Sequence, residues 1–165
     1  MNSERALRVV PAETREDFQQ FWHMFDNCMV EMVHRGNVDD TMLEWFLSDG
    51  YRRDFGDRCR RAGLQVFLID AGGDWIGFCT CTREANRPRY CTITTFFLRG
   101  GYRGRGLGCD AWKQIEQALF QEGVSQFATA ESCAGCPHFW AVNGFRQTGA
   151  VRWEKRRRKK ALFLF

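Results

Sequence analysis

Arg103, Gly104, Arg105, Gly106, Leu107 and Gly108 stand where an apolar run, residues 93–98, stops and an amphipathic stretch begins. A turn of this kind between a strand and a helix suits a phosphate group. Glycines let the backbone come close and aim several N–H groups at one point. A helix start adds partial positive charge and unpaired donors. Arg103 and Arg105 add guanidinium forks that match a pyrophosphate. The spacing is that of neither common nucleotide loop. No Gly-Lys-Ser/Thr ending is present, and Gly104, Gly106 and Gly108 alternate where a dinucleotide fingerprint needs GxGxxG. A plain glycine-rich turn is the alternative.

The other residues with chemical potential are thiols. Cys79-Thr80-Cys81 and Cys133-x-x-Cys136-Pro137-His138 supply the ligand types of a tetrahedral zinc site. They come from a strand interior and a loop rather than from two knuckles, so no metal is expected and small buried thiols are the default.

Several elements must position these residues. Residues 7–10 read as a strand stopped by Pro11. Thr14 and Asp17 form a capping-box pattern, followed by apolar residues from Phe18 to Val33 at helical spacing. A second helical region runs from Asp39-Asp40 to Gly63, with Gly50 as its interruption. Residues 65–70 and 75–82 form a hairpin across Ala71-Gly72-Gly73-Asp74. Residues 90–98 make the strand that enters the Gly/Arg turn. The helix after the turn ends at Gly123, and residues 124–130 form a fifth strand. Pro137 opens a short helix ending near Gly144. Residues 145–154 and 161–165 read as two closing strands joined by the basic run 155–160 (KRRRKK), which sits at their hairpin tip. The pattern predicts an α/β (α+β) architecture, a mixed sheet flanked by helices.

At 165 residues the chain fits a single domain, residues 1–165, with a substantial core. Its hydrophobic content is 44% and its aromatic content 15%, which argues against disorder. No run reaches membrane-helix length. Eight cysteines behind a polar N-terminal stretch point to a reducing, cytoplasmic setting. The net charge of +4 is local: without the six cations of residues 155–160 the remainder carries −2. Nucleic acid is therefore not an expected partner.

Arg103-x-x-Gly106-x-Gly108 resembles the coenzyme A pyrophosphate loop of the GNAT N-acetyltransferases. The element order matches that fold throughout. Phe139-Trp140-Ala141-Val142-Asn143-Gly144-Phe145 resembles the family segment in which an aromatic pair leads to Gly-Phe. The resemblance implies a mostly antiparallel sheet with splayed central strands and acetyl-CoA as cosubstrate. A primary amine, on a small molecule or a peptide, attacks the thioester directly. It assigns the pantetheine contacts to Phe96, Phe97 and Leu98, and the pyrophosphate to residues 103–108. Ser132 takes the place of the common Asn after the fifth strand. The family's usual base falls at about Thr92 and its usual Tyr acid at Trp140, neither of which can do the job. Glu131 is the first choice for a substitute base and His138 the second. Glu31 and His34 lie on the first helix, where relatives often line the amine site. The rival to an enzyme is an acyl-CoA-binding pseudoenzyme or an RNA-associated module using the basic run. A homodimer is left open.

Overall fold

Thr14 starts the first helix through a reciprocal cap. Its hydroxyl accepts from the Asp17 N–H, and the Asp17 carboxylate accepts from the Thr14 N–H at 2.9 Å. Two donors that the first turn leaves unpaired are satisfied in this way. A computed structural model describes residues 6–133 and 135–158. The helices are α1 (Arg15–His34), α2 (Asp40–Phe46), α3 (Asp49–Arg61), α4 (Leu107–Gln121) and α5 (Pro137–Val142). The strands are β1 (Leu7–Pro11), β2 (Leu64–Ala71), β3 (Asp74–Arg83), β4 (Tyr90–Leu98), β5 (Gln126–Thr129), β6 (Arg146–Gly149) and β7 (Arg152–Arg156).

All seven strands join one sheet in the order β1-β2-β3-β4-β5-β7-β6. Only β4 and β5 run parallel, because α4 carries the chain between them. The mixed, mostly antiparallel sheet flanked by helices is the predicted architecture.

Strand alternation sorts side chains to two faces. Val66, Leu68, Phe78 and Phe97 meet Phe21, Met24 and Phe25 of α1 and Phe55 of α3. Phe67, Cys81, Cys91 and Ile93 meet Trp112, Ile115 and Leu119 of α4 and Trp140 of α5. The indoles of Trp112 and Trp140 cross edge to face at 5.7 Å. Both are fully buried, so truncating either costs roughly 3–5 kcal/mol.

Two details depart from the sequence reading. The second helical region breaks at Leu47-Ser48, not at Gly50. The Ser48 hydroxyl donates to Trp45 O and accepts from the Tyr51 N–H, so one side chain ends α2 and caps α3. Gly50 lies inside α3, where a Cβ would meet the Trp45 ring at 3.2 Å. The closing strands also fall earlier than expected. β6 and β7 both lie within residues 146–156 and turn at Ala150-Val151. The described part of the basic run, residues 155–158, is therefore not the turn between β6 and β7. Lys155 and Arg156 belong to β7, and Lys155 stands opposite Phe127 of β5. There Lys155 Nζ reaches Glu116 of α4 at 2.7 Å and donates to Asn143 O at 2.7 Å. That buried carboxylate draws the run into the sheet. The expected strand at 161–165 lies outside the described residues.

Candidate active site

The central feature is the place where β4 and β5 part. They pair from Tyr90 opposite Gln126 to Ile93 opposite Thr129. The Ala130 N–H still donates to Ile93 O at 2.8 Å. The register of β4 against β3 then shifts at Thr94, a bulge that bends the strand. The Thr94 hydroxyl meets the Thr80 hydroxyl at 2.7 Å, and Thr94 O accepts from the Ser132 hydroxyl. Beyond this point β4 continues to Leu98 while β5 has ended.

The parted strands open into a cleft of about 630 Å³. Phe96, Phe97 and Leu98 line one wall, and Ser132, Cys133, Cys136 and His138 line another. Gly104, Gly106 and Gly108 close one end, and α1 roofs it with Cys28, Glu31, Met32 and Arg35. These four α1 residues follow helical spacing on one stripe. The Cys133 thiol donates to Ile93 O at 3.6 Å, and burial holds it protonated with its pKa pushed up to about 12. Burial pushes Cys28 up to about 12 as well. The roof and one wall therefore each carry a neutral thiol.

The glycine loop has the backbone that its sequence suggested. Gly104 and Gly106 adopt left-handed φ angles of 70° and 78° with open space around them. Gly106 caps α4 without a side-chain hydrogen bond, so the first amides of that helix stay free for an anion. A Cβ at Gly108 would meet the Phe139 ring at 3.2 Å, and Phe139 in turn stacks at 4.9 Å on Phe96. The residues of this loop fit a pyrophosphate held by backbone donors.

Arg103 is occupied differently from its expected role. Its guanidinium forms a two-pronged pair with the Glu31 carboxylate, with Nη2 at 2.7 Å from Oε2. Its Nε donates to Leu98 O at 2.7 Å. The Arg103 pair holds the Glu31 carboxyl below its ordinary range, with Arg35 adding to the effect. Arg105 is exposed and bonds Gly101 O at 3.4 Å, so it is the loop guanidinium left facing solvent. The sequence gives no spacing signal for the Glu31–Arg103 pair, because 72 residues separate its members.

Glu131 and His138, the two candidate bases, stand apart. His138 lines the main cleft and is exposed. Glu131 lines a second cavity of about 330 Å³ with Glu84, Tyr90, Thr92, Thr129 and Arg152. That cavity holds Thr92, the position where a family base would fall. Tyr90 and Thr92 alternate with Cys91 and Ile93, which pack under α4, so the cavity opens on the opposite face of the sheet. Trp140 is buried and its Nε1 donates to Cys133 O at 3.0 Å, which makes it a brace for the turn after β5. His34 is exposed on α1 outside the cleft. Cys79 and Cys81 are buried in β3, and among the described residues no cluster of three or more His, Cys, Asp or Glu is placed to hold a metal.

Solved structures share this architecture. PaiA N-acetyltransferase from Thermoplasma acidophilum, determined in complex with coenzyme A, superposes with a TM-score of 0.67 at 15% identity, covering 92% of this chain and 99% of that one. An acetyltransferase from Thermus thermophilus gives 0.64 at 19% identity, covering 92% and 96%. Tetrahymena GCN5 gives 0.61 at 9% identity, covering 93% and 96%. No curated protein sequence matches the chain significantly. The sequence profile of the acetyltransferase (GNAT) family matches residues 18–145, most of the chain and every element of the cleft, and the chain belongs to that family.

Proposed function

We propose that the protein is an acetyl-CoA-dependent N-acetyltransferase that passes an acetyl group to a primary amine by direct attack. The observation that carries the reading is the parting of β4 and β5 directly beside an uncapped, glycine-lined helix start. A pantetheine arm would pair along β4 at Phe96 to Leu98, the stretch that β5 no longer covers, much as an added strand would. The amides from Arg103 to Gly108 would hold the pyrophosphate, with Arg105 free to reach it. Arg103, tied to Glu31 and Leu98, would set the loop's position. Bringing amine and thioester together in this cleft supplies much of the expected rate enhancement.

The amine must lose a proton to react. Glu131 is the proposed base, since it shares a cavity with Thr92 on the face opposite α4. The amine would approach through that cavity, and His138 on the other wall is the second candidate. The acceptor is a small-molecule or peptide amine.

A second reading, acyl-CoA binding without turnover, draws on Trp140. The position of the family's acid is held here by a buried indole with a structural hydrogen bond. Release of free CoA thiol from acetyl-CoA, measured across a panel of amines, separates the two. Turnover with at least one amine supports the enzyme. Tight acetyl-CoA binding with no turnover across the panel supports the binding module.

A further inference from the structure

At the far end of β4, away from the cleft, four arginines line one concavity. Arg89 comes from the turn before β4, Arg156 from β7, and Arg157 and Arg158 from the chain just beyond it. The hollow has a volume of about 760 Å³ and is completed by Phe120, Gly123, Ser125 and Gln126. At about 3.3 Å per residue, the nine residues of β4 put it on the order of 30 Å from the glycine loop.

The arginines divide into a scaffold and a receptor. Arg157 is anchored: its N–H donates to Ser125 O at 2.8 Å, and its guanidinium lies over the Phe120 ring at 4.2 Å. It also reaches Gln117 and, at 3.6 Å, Glu116. Arg89, Arg156 and Arg158 are exposed and have no acidic partner among the described residues. The nearby acids are already engaged, Glu116 by Lys155 and Glu122 by Arg83. Three arginines without an acidic partner at one hollow leave its positive charge unneutralised, which favours an anion there.

We propose that this hollow is a second ligand site, distinct from the acetyl-CoA cleft, and that it takes a compact oligophosphate group. Guanidinium forks match phosphate oxygens in pairs, and the polar residues Ser125 and Gln126 line the same hollow. The ligand is compact because the positive charge is local. Outside residues 155–160 the chain carries a net −2, so a long polyanion gains nothing by extending past the hollow.

The test is calorimetric titration of the full chain with tripolyphosphate, with and without saturating CoA. With the glycine loop filled by saturating CoA, the wild type should still bind tripolyphosphate, with a steep salt dependence. Arg89→Ser/Arg158→Ser, two exposed changes outside the acetyl-transfer machinery, should weaken binding at least tenfold. Its circular dichroism spectrum and acetyl-CoA affinity should stay unchanged. Absence of binding to the wild type, equal affinity in the double variant under saturating CoA, or loss of all binding when CoA is saturating would each overturn the site. A single-stranded RNA 12-mer that binds more tightly than tripolyphosphate through the same arginines would overturn the compact ligand.

Discussion

The carboxylate of Glu31, near the end of α1, grips the guanidinium of Arg103 with both oxygens, while Arg103 Nε holds the carbonyl of Leu98. One side chain thus ties the last residue of β4, the mouth of the glycine loop and the roof helix into a fixed arrangement. Both partners are about one-third exposed, so the pair contributes about 1 kcal/mol after solvent screening.

Glu31→Gln should raise the KM for acetyl-CoA several-fold with a smaller effect on kcat, because it loosens the loop and leaves the reacting groups in place. Its effect on stability depends on pH. The folded carboxyl titrates below its ordinary value of 4.5, held down first by its hydrogen bonds to Arg103. The unfolded chain therefore takes up this proton first as pH falls. The stabilisation is complete above the ordinary carboxylate range and disappears as pH drops through the folded value. Urea denaturation should separate wild type and variant more at pH 7 than at pH 3. A constant gap at both pH values would contradict the ion pair.

Gly106→Asp should weaken acetyl-CoA binding by tenfold or more. It places a negative charge at an anion-binding helix start and a Cβ at a φ of 78°. Gly106→Ala shares the backbone strain of about 1 kcal/mol without the charge. It should bind better than the Asp variant. Equal affinities of both folded variants and the wild type in calorimetry would move the pyrophosphate elsewhere.

Glu131→Gln should lower kcat by about 10²–10⁴ if it takes the amine's proton, with acetyl-CoA affinity nearly unchanged. His138→Ala is the parallel measurement. Full activity in both variants would assign the proton to water or to another group.

Lys155→Ser should destabilise the fold by at least about 2 kcal/mol, since it leaves the Glu116 carboxylate buried with only Arg157 at 3.6 Å. Arg156→Ser, one residue along and exposed, should cost less than about 0.5 kcal/mol. Thermal melts showing equal losses would mean that Lys155 is no staple.

Much of the fold was legible in the sequence because its signals are local. The Thr14–Asp17 cap, the hairpin at Gly72-Gly73 and the glycine ends of α1 and α4 depend on neighbours a few residues apart. The loop at Gly104–Gly108 was legible for the same reason. What stayed hidden depends on distant partners. Lys155 looked like one charge in a solvated run, yet Glu116, far back along the chain on α4, takes it inside. The Arg103 guanidinium is held by Glu31 on α1, far back along the chain. The interruption between α2 and α3 was misplaced because a glycine drew attention from Ser48, whose hydroxyl closes both helix ends.

The four-residue pairing of β4 with β5 also divides the molecule mechanically. On one side lie β1 to β4 with α1, α2 and α3. On the other lie β5, β7 and β6, bound to the first set through that short seam and through α4. A sheet so divided resembles two plates sharing a partial weld, open at one end. Strain concentrates where a weld stops, and here it stops at Ile93 and Thr129. Amides flanking that point should exchange with solvent sooner than those of the β2–β3 pair. A ligand strand bridging the gap would extend the weld, slow that exchange and raise the melting temperature with the logarithm of ligand concentration above its Kd.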